Sequence, residues 1–103
     1  DRRTRMTALW ISHVTVTDPE SYALYSKAAG PAILAHGGEF LARGARYEHL
    51  EGKEHARHVV VRFESVEAAL ACYRSDEYQA AMSHAHGASE RDLVIVEEVP
   101  PVF

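Results

Sequence analysis

The stretch Ala8-Leu9-Trp10-Ile11-Ser12-His13-Val14-Thr15-Val16, followed at once by Thr17-Asp18-Pro19-Glu20-Ser21-Tyr22, decides how this chain folds. Its first half is β-branched and aromatic with partial alternation, which marks a strand. Its second half offers a side-chain oxygen that can cap a helix, then a proline at a position where a backbone N–H has no partner to lose. A strand therefore passes into a helix within a few residues. Tyr22, Tyr25, Ala29, Ile33 and His36 continue at helical spacing, and Gly37-Gly38 supplies the backbone freedom that ends the run. Pro31 lies inside it and predicts a kink or break near Ala29.

Further along, Phe40 to Leu50 and His58 to Phe63 read as two strands joined by the polar turn Glu51-Gly52-Lys53-Glu54, a hairpin. Ser65 can cap a second helix with the stripe Val66, Ala69, Leu70 and Tyr73. Ser75-Asp76-Glu77 restarts helical spacing through Tyr78, Ala81 and Met82 until Gly87. Asp92 to Val99 is a fourth strand, ended by Pro100-Pro101. The order β-α-β-β-α-β predicts an α+β, ferredoxin-like domain over residues 8–99, a four-stranded antiparallel sheet with its helices on one face. Residues 1–7 read as a flexible N-terminal segment and 100–103 as a tail.

Alternation sets Val14 and Val16, Phe40 and Ala42, and Val59, Val61 and Phe63 against the helices. The other face then carries Ile11, His13, Thr15, Leu41, Arg43, His58, Val60 and Arg62, with either Val94 and Val96 or Leu93 and Ile95. Such a face is too apolar for water alone. It predicts a homodimer in which two sheets face each other and close a small α/β barrel. A specific pairing of that kind buries roughly 1,000 Å² or more.

Composition narrows the function. The 103 residues fit one domain, and 47% apolar with 25% charged residues is ordinary for a globular chain. Net charge is −4 although Asp1 to Arg5 is basic, so the body is more acidic than the whole. An acidic surface repels phosphate backbones, and the clustered strand aromatics of an RNA-binding sheet are missing, so no nucleic-acid partner is expected. Cys72 is the single cysteine, which excludes an intrachain disulfide and suggests a reducing, cytoplasmic setting. No apolar run suits a membrane span.

The segments Trp10-Ile11-Ser12-His13-Val14, Thr17-Asp18-Pro19-Glu20-Ser21-Tyr22 and Gly37-Gly38-Glu39-Phe40-Leu41-Ala42-Arg43-Gly44 resemble the family known as domain of unknown function 1330. So do Cys72-Tyr73-Arg74-Ser75-Asp76-Glu77-Tyr78-Gln79 and Asp92-Leu93-Val94-Ile95-Val96-Glu97. The resemblance runs from Leu9 to Glu97. It implies a dimeric α+β barrel, a superfamily that includes cofactor-free monooxygenases, lactone isomerases and stress-responsive proteins. The family's usual pattern has a glutamate and a proline where this chain has Arg62 and Glu64, and often an arginine in place of Ala85. Roles of that glutamate and arginine do not carry over, whereas His13, Asp18, Tyr22, Arg43 and Tyr78 match position by position.

His13, in mid-strand on the bare face, is the candidate acid/base, because imidazole exchanges protons in the physiological range. Arg43 is the candidate oxyanion partner through its planar fork, the alternative being an ion pair across the dimer with Glu39 or Glu64. Ile11, Leu41, His58, Val60, Arg62, Tyr22 and Tyr78 are the expected substrate-binding set, although aromatics at helical spacing such as Tyr22, Tyr25 and Tyr78 also suit a core. Asp18 is best explained as a helix cap. No metal or other cofactor is expected: His84 and His86 point about 200° apart on a helix, and no phosphate loop or nucleophile elbow occurs. The expected activity is acid/base chemistry of isomerase, lyase or monooxygenase type on a small phenolic, enolic, lactone or carboxylic metabolite. The alternative is a noncatalytic module whose sheet face serves only assembly.

Overall fold

The computed structural model describes residues 6–100. Asp1 to Arg5 and Pro101 to Phe103, with the basic opening and the second terminal proline, lie outside the described residues. The elements run β1 (Ala8–Val16), α1 (Pro19–Ala35), β2 (Glu39–Arg43), β3 (Arg57–Phe63), α2 (Val66–Arg74), α3 (Asp76–Ala85) and β4 (Ser89–Glu97). The strands form one antiparallel sheet in the order β2-β3-β1-β4. The expected ferredoxin-like α+β architecture is therefore the one observed, with an open sheet in the single chain.

Trp10, Val14, Val61 and Phe63 point from the central strands into a core completed by Tyr25, Ala29 and Ile33 of α1, Cys72 of α2, and Tyr78, Ala81 and Ala85 of α3. Helix α1 starts where the sequence implies: the Asp18 carboxylate accepts from the Ser21 N–H, and Pro19 opens the first turn. It ends in a Schellman arrangement, with the Gly38 N–H donating to the Ile33 carbonyl at 2.9 Å and the Gly37 N–H to Leu34 at 3.0 Å. Gly37 takes φ 82°, and a Cβ on Gly38 would lie 2.6 Å from the Ile33 side chain.

Three expectations need correction. Pro31 does not interrupt α1, which is continuous from Pro19 to Ala35. Gly30 has no Cβ to clash with the proline ring, and Lys27, whose carbonyl loses its donor, is exposed. Strand β2 stops at Arg43 instead of reaching Leu50, because Gly44 turns the chain at φ 64° and every residue from 41 to 54 is exposed, with no apolar face to bury. The β2–β3 link is thus a long excursion rather than a tight hairpin. Strand β4 begins at Ser89, three residues before Asp92, because β1 offers partners as far as Val16.

Candidate functional site

The bare face of the sheet is built by alternation. On β1, Leu9, Ile11, His13 and Thr15 point away from the helices, and Ile11 lies between Val60 of β3 and Val94 of β4. The register of β4 is now settled: Leu93 and Ile95 pack on the core while Val94 and Val96 stay 54% and 46% exposed. With Leu41 at 42%, these residues form the apolar part of the face.

Polar groups collect at the end where β1 approaches α1. His13 sits between His58 and Asp92 in the strand register. Its Nδ1 lies 2.8 Å from the Nδ1 of His58, so one ring donates and the other accepts. The Nε2 of His58 is buried without a partner among the described residues. The β2–β3 excursion folds over this end: Tyr47 packs on His58 with ring centroids 4.8 Å apart and donates its hydroxyl proton to Glu54. The same excursion buries His55, whose Nδ1 is 2.8 Å from the Thr15 hydroxyl and whose Nε2 is 3.3 Å from the Asp92 carboxylate. Arg62 shares this face at its other end, where it donates to both carboxylate oxygens of Glu98 at 2.7 and 3.1 Å. Arg62, together with the Thr7 hydroxyl, holds the Glu98 carboxyl below its usual range.

Arg43 is not on that face. An irregularity in the β2–β3 ladder leaves Leu41 without a cross-strand partner, so Ala42 pairs with Val60 and Arg43 with Val59. This bulge reverses the alternation that the sequence suggests, and Arg43 turns under α1, with its guanidinium over the Phe40 ring at 4.2 Å. His13 and Arg43 therefore lie on opposite sides of the sheet, and the expected shared pocket does not form. Beneath α1, Arg43 joins Arg57, Tyr22, Ser12, Ser26 and Trp10 around a cavity of about 20 Å³, room for about one water.

Tyr78, named in the expected substrate-binding set, is fully buried. Its hydroxyl lies 2.7 Å from that of Tyr25, and the Arg91 guanidinium donates to both, at 2.9 and 3.0 Å. Burial, foremost, raises both phenols above the ordinary tyrosine value. Sequence reasoning missed His55, Arg57 and Arg91. Arg91 follows the Leu93 and Ile95 alternative, which the sequence left open and the pairing to β1 decides; for His55 there was no signal, because the excursion has no period. Among the described residues, no group of three or more His, Cys, Asp or Glu is placed to hold a metal ion. No described helix is long and apolar enough to cross a membrane.

The fold and this bare face define a small α+β protein of the ferredoxin-like class. Residues 7–99 match the family described as Domain of unknown function (DUF1330), and the chain belongs to that family. It is similar to a protein of unknown function from Rhodopseudomonas palustris, with a TM-score of 0.76 and 20% identity over 94% of this chain and 85% of that one. It is similar also to SnoaB, a cofactor-independent oxygenase from Streptomyces nogalater, at TM-score 0.64 and 9% identity over 94% and 99% of the two chains. A dimeric ferredoxin-like protein of unknown function from Thermobifida fusca gives 0.59 and 17%, over 93% and 92%. At these identities the likeness shows the fold alone. Comparison with curated proteins gives no match.

Proposed function

We propose that the chain works as a homodimer, paired through its bare sheet face, that binds a small phenolic, enolic, lactone or carboxylic metabolite and transfers a proton within it without a bound cofactor. The observation that carries this reading is the contact of His13 with His58 at 2.8 Å, at the polar end of a sheet face whose middle is apolar. A proton taken from the substrate by the free ring nitrogen of His13 is matched by transfer of its Nδ1 proton to His58, and the reverse sequence returns a proton to the product. The exposed Val94, Val96 and Leu41 support pairing, since two such faces hide each other. The dimeric neighbour from Thermobifida fusca and the cofactor-independent oxygenase from Streptomyces nogalater point the same way.

Two measurements test the proposal. Light scattering at micromolar concentration should give the mass of two chains, and a thermal-shift panel of phenols, lactones and short carboxylic acids should raise the melting temperature with at least one member. Turnover of that compound should fall by about 10²-fold or more in His13→Ala. A stable monomer removes the shelter from the histidines, and an unchanged rate removes His13 from the chemistry. A dimer that no panel member stabilises indicates an assembly module instead.

A further inference from the structure

The cavity beneath α1 has a composition that packing alone does not explain. Arg43 and Arg57 both line it, and no aspartate or glutamate does. Among the described residues neither guanidinium has an ion-pair or hydrogen-bond partner, and the Nε of Arg57 is buried unpaired. A buried cationic donor without an acceptor is costly and is ordinarily paired. Each guanidinium instead stacks on a ring, Arg43 on Phe40 and Arg57 5.7 Å from the centroid of Tyr22, which orients the forks while leaving their N–H groups free.

Backbone shape makes room for both. A Cβ at Gly30 would stand 3.1 Å from an Nη of Arg43, and one at Gly44 would overlap the Arg57 guanidinium. Apolar walls from Trp10, Ile33 and Val59 complete the lining.

We propose that this cavity is an oxyanion site in which Arg43 and Arg57 hold the carboxylate head of a small organic acid, the rest of the molecule projecting past the exposed Arg43. Two planar forks suit a planar carboxylate, and the room for about one water admits a head group and not a whole metabolite. The site is separate from the histidine pair, on the other side of the sheet, so either can fail without the other.

Trp10 is the only tryptophan of the chain and lines the cavity, so its fluorescence reports occupancy directly. Titration with benzoate should change Trp10 emission saturably, while benzyl alcohol, of the same shape without the charge, should not. Arg57→Met keeps the aliphatic stem and should weaken benzoate by at least about tenfold, the loss expected for hydrogen bonds to a charged group. Gly30→Ala adds a methyl group against Arg43, and it too should weaken benzoate. Because the same Cβ meets the Pro31 ring and lowers the melting temperature, its affinity is read well below that temperature on protein with an unchanged circular-dichroism spectrum. His13→Ala should bind benzoate as the unmodified protein does. Absence of saturation below about 10 mM overturns the proposal, as does equal binding of benzyl alcohol. Undiminished affinity in both Arg57→Met and Gly30→Ala does the same, and tighter binding of inorganic phosphate than of benzoate overturns the carboxylate assignment.

Discussion

Cys72 is wholly enclosed between α1 and the sheet, its thiol 4.0 Å from the Ala32 carbonyl. Burial, helped by the nearby Glu77 carboxylate, pushes the thiol up to about 11. Because the thiolate is the reactive form, Ellman's reagent at pH 8 should label native Cys72 on the order of 100-fold more slowly than the denatured chain; equal rates contradict the burial. At the same scale, some residues were legible from their neighbours alone. Asp18 reads as a cap because it precedes a proline and a helical stripe, and His13 reads as outward-facing because Val14 is apolar. Arg43 was not legible in this way: its orientation depends on one unpaired residue, Leu41, and a shift of one residue turns every later side chain to the other face. Arg57 could not be ranked either, since its lack of partners is a property of the assembled cavity.

The elements themselves follow from local chemistry more closely. Ser75 ends α2 and begins α3: its hydroxyl donates to the Cys72 carbonyl at 2.6 Å and accepts from the Tyr78 N–H at 3.2 Å. The Ser75-Asp76-Glu77 signal was visible because capping needs only a short polar side chain and an acidic first turn. Ser75→Ala removes both bonds and should cost about 1 to 2 kcal/mol in chemical denaturation; a loss too small to resolve means that water replaces the hydroxyl fully. Where elements were misjudged, the cause lay outside local propensity. Helix α1 passes through Pro31 because Gly30 and an exposed Lys27 remove the usual penalties, and β2 ends early because residues after Gly44 have no buried face to occupy. The inward set of β4, undecided between Val94 with Val96 and Leu93 with Ile95, is chosen by its pairing to Trp10 and Ser12, a contact between distant parts of the chain.

For the molecule as a whole, the phenols and the thiol buried under the helices shape its response to alkali. Tyr25 and Tyr78 share a hydroxyl contact in the core, and burial raises both above the ordinary phenol value, while Cys72 stands near 11. In the unfolded chain these groups ionise in the ordinary range, near 8.5 for the thiol and near 10 for the phenols. Each acid is thus harder to deprotonate when folded, so the unfolded state releases protons first as pH rises. The stability these groups support is complete below about pH 8 and declines through the unfolded values toward the folded ones. Each group that is ionised only in the unfolded chain adds a slope of about 1.4 kcal/mol per pH unit. Guanidinium midpoints measured between about pH 8 and 11 should fall accordingly, the thiol acting first and the phenols steepening the decline near pH 10. Tyr25→Phe removes one of the two raised phenols and its bond to Arg91, so it should lower the midpoint at pH 7 yet flatten the alkaline limb. A midpoint that stays level to pH 11, or a limb as steep in Tyr25→Phe as in the unmodified chain, would place the alkaline sensitivity outside this core.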